Sequence, residues 1–135
     1  MFKSIAHIGV AVNDMKSSTE LFRKLFGRSP DHVETVPGQK VSTAMFHLGE
    51  TAIELTAATD ASSPIARFIE KRGEGVHHIS FVVDDLEAEL RRLKGLGFQL
   101  VDEQPRYGAD NYRVAFLHPK STNGVLIEVS QKRSS

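Results

Sequence analysis

The sequence predicts an α+β fold in which two βαβββ modules form one open, curved eight-stranded sheet. Three observations carry that expectation: the chain repeats itself, each copy opens with a strand that runs into a helix, and a capped helical segment joins the copies. The repeat is the strongest. "HIGVAVNDM" from His7 to Met15 matches "HISFVVDDL" from His78 to Leu86 at an offset of 71, and "TAIEL" (Thr51 to Leu55) matches "VLIEV" (Val125 to Val129) at an offset of 74. The three-residue growth is what a longer turn produces, and the second half holds the extra loop signal "PRYGADN" from Pro105 to Asn111.

Each copy begins with strict alternation. Ile8, Val10 and Val12 lie on one face with His7, Gly9 and Ala11 on the other, and Ile79, Phe81 and Val83 stand likewise against His78, Ser80 and Val82. A helix follows, capped by Asn13 or Asp14 in the first copy and by Asp84, with Glu87 completing a capping box, in the second. Met15, Ser18, Phe22 and Leu25 recur at helical spacing, as do Leu86, Leu90 and Leu93; Gly27 and Gly95 or Gly97 suit the C-terminal ends. Two or three strand-like segments complete each copy.

Between the copies, Ser63 suits an N-cap, Pro64 the first helical position, Ile65, Phe68 and Ile69 a buried stripe, and Gly73 the end. The expected organisation is a single domain of 1–135: a module over 1–60, a connecting helix over 61–74 and a second module over 75–135. A unit of this size leaves its sheet face uncovered when alone, so the copies pack together and share a core.

Composition narrows the function. Seventeen basic residues balance 17 acidic ones and form no basic stripe, which argues against nucleic acid as a partner. The absence of cysteine excludes a disulfide framework, a thiol nucleophile and any thiolate metal site. No apolar run approaches the roughly 20 residues of a membrane span, and the first residues lack the order of a leader, so the expectation is a soluble cytoplasmic protein. Any bound metal is then held through nitrogen and oxygen.

Period-2 geometry locates those donors. If Ile53 and Leu55, and Val125, Ile127 and Val129, face the helices, then Glu54 and Glu128 point the other way, as do His7 and His78. Taken singly, a strand histidine is ordinarily a hydrogen-bonded core residue and a strand glutamate a solvated one. The repeat alters this, because an approximate two-fold axis brings His7, Glu54, His78 and Glu128 into one concavity, where unpartnered carboxylates are costly. Two imidazoles and two carboxylates suit one divalent ion per chain, such as Co, Zn, Ni or Mn, and leave octahedral positions for substrate or water. His77 has the parity of the helix side, and His32, His47 and His118 read as surface residues.

These residues carry a resemblance. The paired "HIGVAV"/"HISFVV" and "AIEL"/"LIEV" strands resemble the vicinal oxygen chelate superfamily, with its glyoxalase/bleomycin-resistance-like fold. The stretches "VPGQKVSTAMFHLGETAIEL", "SSPIARFIEKRGEGVHHISFVVDDLEA" and "VAFLHPKSTNGVLIEV" are similar, within it, to the methylmalonyl-CoA epimerases. The resemblance spans Ile5 to Val129. It implies metal ligation by His7, Glu54, His78 and Glu128 and a homodimer with each metal inside one chain's own barrel. Three positions depart from the family pattern: Thr43 stands where some epimerases carry an acid/base glutamate, Glu54 where some carry glutamine, and Asn111 where glycine is common. Asn tolerates positive φ well.

The resemblance implies an isomerase that interconverts (R)- and (S)-methylmalonyl-CoA by removing the C2 proton from one face and returning one to the other, through a metal-stabilised thioester enolate. Glu128 is the first candidate base and Glu54 its symmetric partner, with a metal-bound water as the alternative. Lys120, Arg106 and Arg113 are candidates for the coenzyme A phosphates. Two other activities fit the same set: a glyoxalase I-type lactoylglutathione lyase, whose ligands are also two His and two Glu, and a non-catalytic binding protein on the same fold. The intact His, Glu, His, Glu set argues against the last.

Overall fold

A computed structural model describes residues 1–133; the final two positions of the second expected module lie outside the described residues. In chain order the elements are β1 (Phe2–Ala11), α1 (Met15–Phe26), β2 (His32–Val36), β3 (Val41–Leu48), β4 (Thr51–Ala58), α2 (Pro64–Arg72), β5 (Gly75–Val83), α3 (Leu86–Gly95), β6 (Arg106–Tyr107), β7 (Tyr112–Leu117) and β8 (Ile127–Lys132). The strands form a mixed eight-stranded sheet in the order β2-β3-β4-β1-β5-β8-β7-β6. This is the expected α+β succession, strand, helix and three further strands, occurring twice. The chain forms two compact units, Ile8–His77 and Met1–His7 with His78–Ser135.

In the unit Ile8–His77, β2, β3 and β4 pair antiparallel, with Thr43 opposite Thr56 and Met45 opposite Glu54. Asp14 rather than Asn13 caps α1, accepting from the Lys16 amide, and Gly27 ends it at φ +70°. Met15, Phe22 and Phe26 pack on the cluster of Val12, Ala44, Phe46, Leu55 and Ala57, and the Phe26 and Phe46 rings meet at 5.4 Å. Leu25 does not join the stripe and is 68% exposed. The helix turns its i, i+4 pair of rings inward, which buries more apolar area than the expected leucine would. Ser63, Pro64 and Gly73 bound α2 as the sequence indicates, and Ile65 is its buried anchor.

In the other unit, β5 and β8 run parallel, placing Ser80 beside Glu128, and β7 pairs antiparallel with β8, placing Phe116 beside Glu128. Leu86, Leu90 and Leu93 of α3 pack on Val83, Ala115, Leu117 and Val129. The cap of α3 is Asp85, which accepts from the Ala88 amide, not Asp84. Glu87 does not close a capping box, because its carboxylate receives both terminal nitrogens of Arg113 at 2.7 and 2.9 Å. The loop signal at 105–111 contains the short β6 and a turn in which Asn111 adopts φ +64°, a conformation asparagine accepts. Val125 does not share the packed face with Ile127 and Val129: it precedes β8 and is 41% exposed. Among the described residues no helix is long and apolar enough to cross a membrane.

Candidate metal and active site

His7, His78 and Glu128 meet within the second of these units. Alternation explains how: the helix-facing residues of β1, β5 and β8 enter the apolar clusters, so the intervening residues emerge on the opposite face. All three side chains are buried, with residue exposures of 9%, 5% and 4%. The Nε2 atoms of His7 and His78 are 3.0 Å apart, Glu128 Oε1 lies 3.1 Å from His7 Nε2, and it lies 3.9 Å from His78 Nε2.

These distances suit donors of one cation. Two ligands about 2.1 Å from a shared ion stand about 3.0 Å apart when cis and about 4.2 Å apart when trans, a range that contains all three separations. The charge state agrees. Burial alone raises the Glu128 pKa, but the attraction of His7, its hydrogen bond, the attraction of His78 and a hydrogen bond from Ser80 outweigh burial and hold the carboxyl well below the usual carboxylate range. An ionised carboxylate beside two imidazoles is a donor set for a borderline divalent ion.

Neighbouring residues fix these side chains. The Ser80 hydroxyl lies 3.1 Å from that of Ser130, which in turn bonds the Phe81 carbonyl at 3.2 Å, forming a buried hydroxyl pair beside Glu128. The Phe116 ring stands edge-on to His78 at 5.7 Å and fixes the imidazole plane. Sequence reasoning placed Ser80 on the face of His78 without giving it a part in the site, and missed Ser130 and Phe116, although Ser130 lies two residues beyond Glu128 and therefore shares its face.

Glu54 is buried on β4 in the unit Ile8–His77, 5% exposed, and accepts a hydrogen bond from the Thr56 hydroxyl at 3.2 Å. Here too the carboxylate has a hydroxyl residue two positions on, repeating Glu128 and Ser130. Thr43 lies opposite Thr56 on β3, its Oγ1 buried without a hydrogen-bond partner.

The remaining histidines have other tasks. His77 places its ring edge-on to Phe68 of α2 at 4.9 Å, on the helix side as its parity requires. His32 opens β2 and contacts Glu34. His47 and His118 are half-buried: the His47 amide donates to Asp31, and His118 Nδ1 accepts from the Lys120 amide. Arg113 is committed to Glu87, which removes it as a phosphate ligand, and Lys120 is exposed.

A strand-helix-meander unit occurring twice, with buried imidazole and carboxylate side chains on the sheet face opposite the helices, defines a class of α+β proteins built from two copies of one module. Within it this chain belongs to the Glyoxalase/Bleomycin resistance protein/Dioxygenase superfamily, whose pattern matches residues 6–116. It is similar to the Bacillus subtilis protein YqjC, described as uncharacterized, at 39% identity over 94% of this chain and 91% of that one. It is similar at 35% identity to an ethylmalonyl-CoA/methylmalonyl-CoA epimerase of Cereibacter sphaeroides, covering 97% and 99% of the two chains. Among solved structures, a Streptomyces coelicolor methylmalonyl-CoA epimerase in complex with 2-nitronate-propionyl-CoA matches with a TM-score of 0.95 at 31% identity, covering 99% of this chain and 97% of that chain.

Proposed function

We propose that this chain is a metal-dependent epimerase that interconverts (R)- and (S)-methylmalonyl-CoA. The observation that carries this reading is the convergence of His7, His78 and the ionised Glu128 in a protein similar over 99% of the length of an ethylmalonyl-CoA/methylmalonyl-CoA epimerase. The chain is an isomerase, and its substrate is an acyl-CoA.

His7, His78, Glu128 and Glu54 are the proposed ligands of one divalent ion. Glu54 is included because the repeat pairs it with Glu128 and because it too is a buried carboxylate on the strand face opposite the apolar cluster. When bound, the ion supplies stabilisation of negative charge on the thioester oxygen. Glu128 accepts the C2 proton and becomes a carboxylic acid; the C–H electron pair moves onto the thioester as an enolate. Glu54, entering the cycle as the carboxylic acid, is the proposed donor in keeping with its symmetric position: it returns a proton to the other face of C2, restores the thioester and is left as a carboxylate, and proton exchange of the two carboxyl groups with solvent resets the pair. Thr43 has no ionisable group and takes no proton. The reading includes a cytoplasmic homodimer with one ion per chain.

The test starts from a single epimer of methylmalonyl-CoA and follows its conversion by protein loaded with Co²⁺, alongside methylglyoxal with glutathione. Racemisation without lactoylglutathione formation supports the proposal. Lactoylglutathione without racemisation assigns the lyase instead, and binding without turnover assigns a sequestering protein.

A further inference from the structure

We infer that Arg106 is a substrate-recognition residue whose guanidinium binds an anionic oxygen group of the acyl-CoA, an inference that rests on the epimerase reading. Arg106 opens β6 and pairs with Val114 of β7, two residues from Phe116. Its guanidinium lies over the Phe116 ring, 5.8 Å from the centroid, and the same ring meets His78 at 5.7 Å. A cation is thus held one aromatic ring away from the candidate metal ligands, on the sheet face that bears Glu128.

Its position is set, not left to solvent. Asp102 Oδ2 accepts from the Phe116 amide at 2.9 Å while Oδ1 lies 3.5 Å from Arg106 Nε, so one carboxylate fixes both the ring and the cation above it. Nε is buried without a hydrogen bond, yet the side chain as a whole is 39% exposed. The buried Nε and partly exposed side chain leave part of the guanidinium open to solvent, and a guanidinium presents the planar fork that binds carboxylate or phosphate in a bidentate manner. Arg113, the other arginine of this sheet region, is already paired on the helix side.

An acyl-CoA offers two anionic groups of this chemistry, the malonyl carboxylate and the coenzyme phosphates. The lean of Arg106 back over Phe116, the neighbour of Glu128, favours the carboxylate. The experiment compares wild type with Arg106→Met, which keeps the stem, and Arg106→Lys, which keeps the charge but loses the fork. Inhibition or turnover is measured with methylmalonyl-CoA, with methylmalonyl-pantetheine, which lacks the phosphates next to the adenosine, and with propionyl-CoA, which lacks the carboxylate. Carboxylate recognition predicts that Arg106→Met weakens the first two by about 10-fold to 100-fold, with propionyl-CoA unchanged and Arg106→Lys intermediate. Phosphate recognition predicts losses for the two coenzyme A esters only. Unchanged binding of all three by folded variants overturns the inference. An inactive wild type sinks the epimerase reading itself, and is distinguished because the binding comparison needs no turnover.

Discussion

The His7 and His78 rings stand nearly perpendicular, at 85°, with their Nε2 atoms 3.0 Å apart, and the 71 residues that separate them equal the offset of the internal repeat. Two copies of one strand have therefore delivered the same side chain to the same point. Between neutral imidazoles such a contact uses the N–H of one ring and the lone pair of the other. The same spacing also allows both nitrogens to present lone pairs to one cation.

Removing one of those lone pairs tests the arrangement. His78→Ala is expected to lose bound metal and activity together, by about 10-fold to 100-fold in affinity or more. Elemental analysis after dialysis against Co²⁺ measures it. Full metal content in a folded His78→Ala protein means that the ligands were misassigned.

Glu128→Gln keeps the shape of the side chain and removes its charge and basicity. Turnover is expected to fall by roughly 100-fold or more, the scale of a lost general base. Rates measured at saturating Co²⁺ separate weaker metal binding from lost proton transfer. Wild-type turnover at full metal occupancy excludes Glu128 as the base.

The Glu87–Arg113 pair predicts a pH dependence. The hydrogen bond from Arg113 holds the Glu87 pKa down at about 2, below its ordinary 4.5. Since the folded value is the lower one, the pair stabilises the fold fully above pH 4.5, and this contribution disappears as pH falls from there toward 2. Glu87 is 47% exposed, so the effect is a fraction of ~1 kcal/mol. Urea unfolding from pH 7 to pH 2 is expected to show wild type and Glu87→Gln converging across that window. Parallel curves contradict the role assigned to the pair.

Leu55 and Leu90 anchor the two apolar clusters, with exposures of 0% and 4%. Truncating either to alanine is expected to cost about 2–5 kcal/mol, the range for a buried leucine. A loss below ~1 kcal/mol at Leu55 in chemical denaturation means that the cluster around Phe46 is not close-packed.

Much of this was legible in the sequence because it depends on local rules. Alternation alone put Leu55 and Val129 in the clusters and Glu54 and Glu128 on the other face, and the repeat tied the two copies together. Ser63, Pro64 and Gly73 bounded their helix through side-chain capping, fixed φ and positive φ, all properties of single residues. Failures arose where two local rules competed. Asp84 and Asp85 are equally good caps by residue type; in the fold Asp85 takes the cap, Gln131 bonds the Asp84 carbonyl and Leu86 amide, and Glu87 pairs with Arg113. Leu25 and Phe26 are both apolar, and the Phe46 ring across the packed interface selects the second. The link from His78 through Phe116 to Arg106 and Asp102 joins three stretches of the chain, with only Asp102 and Arg106 near one another in sequence, and no motif announces it.

The central claim is that the buried His7, His78 and Glu128 centre drives removal of the C2 proton. The direct measurement is incorporation of solvent deuterium at C2 of methylmalonyl-CoA, followed by mass spectrometry for wild type loaded with Co²⁺, Glu128→Gln and His78→Ala. Rapid exchange by wild type and near-background exchange by both variants is the predicted result. Absence of exchange by metal-loaded wild type, or unimpaired exchange by both variants, contradicts the account.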